Sequence, residues 1–171
     1  AEVAQAGGGD LARLAGGGHK DEAMQVMANG LAAVVRRLYD EGRLDGIIGM
    51  GGSGGTSIAT TGMRTLPVGV PKVMVSTVGG GDVSAYAGTK DITFMPSIVD
   101  VAGINSISRA IYTNAAGAIA GMVKMEAPAS QAVRPLVTAS MFGNTTTAVD
   151  HARGILEASG YEVLVFHATG T

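Results

Sequence analysis

Residues 44–67 read LDGIIGMGGSGGTSIATTGMRTLP, and this stretch decides the fold. Leu44 to Met50 is a short apolar run bounded by glycine, the pattern of a strand buried on both faces of a parallel sheet. The glycines then arrive together at Gly51, Gly52, Gly54 and Gly55, followed by Thr56, Ser57 and a helix-like run over 58–66 that stops before Pro67. Strand, glycine loop and helix in that order form the unit from which α/β sheets are built.

The pattern extends in both directions. Upstream, Ala23, Met27, Gly30, Leu31, Val34, Val35 and Leu38 recur every three or four residues, which lays one apolar stripe along a helix from Asp21 to near Gly42. Downstream, residues 70–75 are β-branched and apolar, 76–82 make a loop with three consecutive glycines, and 92–95 give another short strand. Residues 105–124 predict a long helix whose apolar side is Ile104, Ile107, Ile111, Ala115, Ala118, Ile119 and Met122. Small residues around Ala115–Gly121 suit the close approach of another helix or of a second copy of the chain. After a linker over 128–135 come a strand at 136–140, a loop at 141–144, a helix at 145–159 and a strand at 162–166 that runs into His167-Ala168-Thr169-Gly170-Thr171. Strands alternating with helices predict a Rossmann-like α/β fold, a three-layer parallel sheet with helices on both faces. The expected division is a flexible glycine-rich connector over 1–20, a first α/β unit with the glycine-rich loop over 21–126, and the start of a second α/β unit over 127–171.

Composition narrows the function. With 46% hydrophobic and 15% charged residues the chain cannot be a disordered polyelectrolyte, and a net charge of -2 argues against nucleic acid or an anionic membrane as partner. The lack of cysteine excludes disulfide frameworks, thiol nucleophiles and thiolate metal sites. No apolar run reaches the roughly 20 residues a bilayer requires, and the opening AEVAQAGGG has no charged-then-apolar leader, so the cytoplasm is the expected compartment. Glycine, at 27 of 171 residues, is about twice its usual share of roughly 7%.

In open parallel sheets ligands bind beyond the carboxyl ends of the strands. Four such ends carry Gly/Ser/Thr loops here: GGSGGTS, STVGGGDVS, FGNTTT and HATGT. Loops of this composition let backbone N–H groups approach an anion unobstructed, and the following helix dipole favours negative charge. Gly49 to Gly54 fits the dinucleotide pattern G-x-G-x-x-G, yet Ser76-Thr77 stands where the ribose-binding acid would follow, which disfavours NAD. The same run resembles a P-loop in which Gly55 replaces the phosphate-binding lysine. Gly51-Gly52-Ser53-Gly54-Gly55 also fits G-x-S-x-G, so a serine hydrolase with Ser53 as nucleophile, Asp100 or Asp150 as the acid and His151 or His167 as the base is a rival. His19, His151 and His167 lie on different elements, without the spacing of a metal site.

The favoured site holds a small phosphorylated ligand on Gly51, Gly52, Ser53, Gly54, Gly55 and Thr56, with Ser76 and Thr77 and then Gly143, Asn144, Thr145 and Thr146 completing the cleft. Asp100 is placed for a sugar or a magnesium-linked contact, and His167 and Thr169 close the last strand. Asp82 and Asp100 read equally as helix caps. A non-catalytic interaction module, dimeric through the small-residue helix, is the third alternative.

The segments IIGMGGSGGTSIAT, LPVGVPKVMVSTVGGGDVSAY, DITFMPSIVDVAGIN, ISRAIYTNAAGAIAGM, MFGNTTTAV and YEVLVFHATGT, in this order, resemble the ATP-binding family named for the tomato mosaic virus resistance protein. Most of its members are bacterial or fungal proteins of unknown function, and the resemblance spans the whole chain. It implies that the chain is an internal piece of the amino-terminal region of such proteins. It also implies binding of ATP or a related nucleotide and a homodimer formed through this region. It supplies no catalytic residue.

Overall fold

The computed structural model describes residues 1–125 and 133–170. The expected boundary at 126/127, residues 128–132 of the expected linker, and Thr171 lie outside the described residues. The chain divides into two compact units, Ala1–Met125 and Glu126–Thr171. The first runs α1 (Glu2–Ala6), α2 (Leu11–Ala15), α3 (Lys20–Asp40), β1 (Ile47–Gly51), α4 (Ser53–Met63), β2 (Lys72–Ser76), α5 (Ser84–Ala87), β3 (Thr93–Pro96) and α6 (Ser106–Lys124). The second runs β4 (Leu136–Met141), a 3-10 turn at Gly143–Thr145, α7 (Thr146–Ala158) and β5 (Glu162–His167).

The first sheet is parallel in the order β1-β2-β3. Its register sets Gly51 opposite Ser76 and Ser76 opposite Pro96, so the carboxyl ends of all three strands form one row. β2 is buried along its whole length because it has a strand on each side and a helix on each face. Val73 and Val75 pack with Ala115 of α6, and Met95, Ile111, Tyr112 and Ile119 complete that layer. On the opposite face a Cβ at Gly49 would lie 2.9 Å from Ala59, 3.0 Å from the Met74 sulfur and 3.2 Å from Met63, so α4 sits tightly on β1 and β2. α3 packs on α4 in turn, where a Cβ at Gly62 would meet Leu31 at 3.0 Å and Val35 at 3.3 Å. This is the α/β arrangement expected, with parallel strands and a helix layer on each face. In the second unit β4 and β5 are parallel, Leu136 opposite Glu162 and Met141 opposite His167, with α7 as their crossover.

Local chemistry sets where the helices begin. α6 starts at a capping box: Asn105 Oδ1 accepts from the amides of Ile107 and Ser108 at 2.9 Å each, and the Asn105 amide donates to Ser108 Oγ at 2.8 Å. α4 is rich in glycine and threonine, both poor helix formers, and its Thr60 and Thr61 hydroxyls bond back to the carbonyls of Thr56 and Ser57 at 2.8 Å.

The structure departs from the sequence reading in three places. The helix expected from residue 58 begins at Ser53, so Gly54, Gly55 and Thr56 form its first turn rather than a loop. Residues 1–20, expected as a connector, hold α1 and α2, and Ala4 of α1 and Leu14 of α2 are buried. On α6, Ile111, Ala115 and Ile119 face the sheet, whereas Ile107 and Met122 are exposed, and the exposed Ile104 lies before the helix begins.

One polar group in the core has no partner among the described residues: the buried hydroxyl of Tyr112, in the apolar layer between α6 and β2. A buried unpaired hydroxyl costs about 1 kcal/mol or more. Tyr112→Phe, which keeps the ring, is therefore expected to raise stability by about 1 kcal/mol in chemical denaturation.

Candidate functional site

The row of strand ends in the first unit brings together Gly51–Thr56, Ser76 and Thr77, while Asp100 follows on the loop beyond Pro96 at the end of β3. The turn from β1 into α4 is tight enough to demand glycine. A Cβ at Gly51 would stand 2.9 Å from the Gly55 Cα, so the first turn of α4 lies directly against the end of the strand. The Gly51 carbonyl accepts from the Thr77 amide at 3.2 Å, which ties this turn to the next loop.

Behind the turn lies a buried chain of hydroxyls. The Val78 amide donates to Ser76 Oγ at 3.1 Å, Ser76 Oγ and Thr56 Oγ1 share a 2.7 Å bond, and Thr56 Oγ1 reaches the Gly51 carbonyl at 3.5 Å. Thr56 and Ser76 are both fully buried. Their hydroxyls therefore brace the turn from behind, which corrects the expectation that they face a ligand. The outward donors are the backbone amides of Ser53, Gly54 and Gly55. α4 has Gly52 as its N-cap and no capping side chain, and no described residue accepts from these three amides. Their dipoles add to that of the helix, which makes this end attractive to anions. Thr77 is exposed beside Gly52, where a Cβ would be 3.6 Å from its hydroxyl.

The individual glycines differ in what they face. Gly54 turns its free side to Met24 of α3, 3.1 Å from a Cβ built there, whereas at Gly55 only the Met50 carbonyl comes within 4 Å, at 3.7 Å. Asp100 is exposed on the loop after β3, and its Oδ1 accepts from the Val101 amide at 2.8 Å. It does not cap α6, whose N-cap is Asn105. Asp82 does not occupy the N-cap of α5, which is Val83, but it accepts from the Ser84 amide at 2.9 Å just before that helix. The Ser84 hydroxyl and amide hold its carboxyl below the usual carboxylate range.

Gly143, Asn144, Thr145, Thr146, His167 and Thr169 gather at the corresponding edge of the second unit. Thr145 Oγ1 donates to the Phe142 carbonyl at 2.9 Å and accepts from the Phe142 amide at 3.1 Å, which closes the turn before α7. The His167 ring stands edge-on to Phe142, with centroids 6.0 Å apart. His167 Nδ1 accepts from the Thr169 amide at 3.2 Å, so the neutral ring carries its proton on Nε2.

Ser53 does not have the setting of a hydrolase nucleophile. A nucleophile elbow is strained, yet the sole non-glycine residue with positive φ among those described is Ile98, and the Ser53 hydroxyl bonds to no described residue. Among the described residues no group of three or more His, Asp or Glu side chains is placed to hold a metal ion. Nor is any helix there long and apolar enough to cross a membrane.

Two features went unseen in the sequence. Lys72 is fully buried at the amino-terminal end of β2, the opposite edge of the sheet from the site, and donates to the carbonyls of Pro67 and Val70 and to Asp91 Oδ1 at 2.8, 2.7 and 2.8 Å. Burial works to raise the Asp91 carboxyl, but the hydrogen bonds from Lys72 and from the Gly69 amide outweigh it and hold it below its ordinary value. The second feature is Ile98, at the end of β3, with φ of 63°.

Parallel strands, helices on both faces and an uncapped glycine turn at the carboxyl edge define a Rossmann-like α/β protein. Residues 1–128 match the N-terminal domain, and residues 134–171 the C-terminal domain, of the uncharacterised protein family UPF0261. The chain belongs to that family. It is 53% identical over 169 residues to a UPF0261 protein of Clostridium tetani, covering 99% of this chain and 42% of that one. It is 46% identical over 164 residues to a UPF0261 protein of Rhizobium meliloti, covering 96% of this chain and 40% of that one. It is also 42% identical over 153 residues to the ToMV resistance protein Tm-1(GCR237) of Solanum lycopersicum, covering 86% of this chain and 20% of that one. The chain thus spans less than half the length of each of these relatives.

Proposed function

We propose that the first unit binds a small phosphorylated ligand of the nucleotide class, ATP or a related nucleotide with or without magnesium. The observation that carries this reading is the start of α4. Three consecutive amides, Ser53, Gly54 and Gly55, have no acceptor among the described residues, and two of them belong to glycines, which carry no side chain. The family resemblance favours the same ligand class. Phosphate oxygens would accept from these amides, and the Thr77 hydroxyl is within the same turn's reach. A homodimer through α6 is the accompanying proposal, supported by Ala116, Gly117, Ala120 and Gly121, which are exposed.

Gly55→Glu tests the phosphate seat without unfolding it. The new Cβ meets the Met50 carbonyl oxygen at an ordinary 3.7 Å, the change removes a glycine from a helix, and it sets a carboxylate in the first turn, where the dipole favours it. The unliganded variant is expected to melt at or above the wild-type temperature, with a gain of about 1 kcal/mol. The wild-type chain at a hundredfold excess of ATP over its dissociation constant should gain about 2.7 kcal/mol, and the variant should lose that gain through like-charge repulsion. Thermal unfolding with ATP, tripolyphosphate and NAD reads both effects. A ligand-induced shift that survives in Gly55→Glu sinks the assignment of phosphate to these amides.

A further inference from the structure

Ile98 lies just past the carboxyl end of β3 and adopts φ of 63°, a conformation that β-branched residues avoid because Cβ crowds the backbone. The Val99 amide donates to the Ser97 carbonyl at 2.7 Å, so Ile98 is the centre of a three-residue γ-turn of the rare positive-φ kind. The turn is held from both sides. Ser97 is 1% exposed, its hydroxyl donates to the Val99 carbonyl at 2.6 Å, and its amide donates to the Ser76 carbonyl at 2.9 Å. Ser76 is the same residue whose hydroxyl braces the start of α4 through Thr56.

This strain returns nothing to the fold through packing. Ile98 is 74% exposed, so the chain bears the backbone cost and leaves an aliphatic group in water as well. Strained residues that a rigid surrounding over-determines concentrate where ligands are gripped. The position agrees. In the row formed by Gly51, Ser76 and Pro96, the end of β3 is two strand spacings from the glycine turn, roughly 10 Å. That span separates the phosphate of a nucleotide from its ring. Two residues further on, Asp100 has one carboxylate oxygen engaged by the Val101 amide, which leaves Oδ2 available to sugar hydroxyls.

Resting on the phosphate reading above, we infer that Ile98 is a specificity-determining residue of the same site: the strained γ-turn holds its side chain up as the apolar wall against which the ligand's heteroaromatic ring lies. Phosphate is taken at α4, hydroxyls near Asp100 and the ring at Ile98. The wall accounts for an exposed isoleucine in a conformation that glycine or asparagine would adopt more easily.

The test compares Ile98→Gly and Ile98→Ala with wild type in two measurements, melting temperature without ligand and affinity for ATP against tripolyphosphate by titration calorimetry. Ile98→Gly is expected to melt higher than wild type and higher than Ile98→Ala, since only glycine relieves the backbone. Both variants are expected to bind ATP about tenfold more weakly, the worth of a buried aliphatic contact, while tripolyphosphate affinity stays within about twofold. Unchanged ATP affinity in both variants overturns the inference, and so does an equal loss for the two ligands, which would make Ile98 a mere support of the loops. If wild type binds neither ligand, the phosphate reading itself has failed and this inference falls with it. Binding of tripolyphosphate with an ATP affinity indifferent to Ile98 leaves the phosphate reading standing and removes the ring contact alone.

Discussion

Asp91→Ala is expected to lower stability by about 3 kcal/mol, although Asp91 is distant in the sheet from the candidate site. The reason is Lys72. Its ammonium has three hydrogens, and all three are used, on Pro67, Val70 and Asp91, in a side chain with no exposed surface. Removing the carboxylate leaves a buried cation with one donor unmet and strips the Gly69 amide of its acceptor. The estimate sits at the low end for broken buried pairs because the Asp91 side chain is 42% exposed, so water can enter where the carboxylate was. At roughly 2–4 °C per kcal/mol for a chain of this size, the melting temperature should fall by about 6–12 °C. The double variant Lys72→Met with Asp91→Ala should recover most of that loss, since no charge is then left behind.

The same pair sets an acid limb to the stability curve. The folded Asp91 carboxyl titrates below its ordinary value, so its contribution is fully present above the unfolded value of about 3.9 and is lost as the pH falls through the lower folded value. Denaturant unfolding of wild type and Asp91→Ala across that range should show the two curves converging toward low pH. Parallel curves down to pH 2 would show that the carboxylate does not carry the difference.

Much of this architecture was legible because it depends on pattern. The apolar run at 44–50 and the β-branched run at 70–75 announce buried strands, and both occur, at Ile47–Gly51 and Lys72–Ser76. Lys72 itself stands inside the second run and reads as an ordinary flanking charge, since nothing local reveals that Asp91, far along the chain, will cover it. The glycine cluster at 51–55 reads as a loop because glycine weakens helices, and here tertiary context prevails. Gly51 is needed for close contact between the strand end and the Gly55 backbone in the first helical turn, so the helix starts inside the cluster. Hydroxyls mislead for a related reason. Thr56 and Ser76 share the loop composition of ligand-binding residues, but whether a hydroxyl faces in or out depends on side-chain direction, and both face each other in the interior. Ile98 had no signal at all, because its residue type contradicts the conformation it adopts.

The amino-terminal segment is a harder case, and it yields the other large prediction. AGGG repeats suggest a connector, yet one of these glycines is where two backbones touch. A Cβ at Gly30 of α3 would lie 1.8 Å from the Val3 carbonyl oxygen and 2.9 Å from the Gly7 amide nitrogen. Reciprocally, a Cβ at Gly7 would lie 2.0 Å from the Val26 carbonyl oxygen. Each glycine therefore presents a Cα hydrogen to a carbonyl of the other segment, a close approach that any side chain forbids. The obstacle is backbone, which cannot rotate aside as a side chain could. Gly30→Val is therefore expected to expel α1 from α3, exposing Ala4 and separating Glu2 from Arg37, at a cost of about 3 kcal/mol. Hydrogen exchange should show the amides of Gly7 and Gly9, which bond to Val3 and Ala4 in wild type, losing protection while those of β2 keep it. Gly8, which has φ of 77° and nothing within 4 Å of a Cβ, serves as the control: Gly8→Asn tolerates that conformation and should leave α1 docked. Retained protection in Gly30→Val would mean that α1 does not depend on the contact between Gly7 and Gly30.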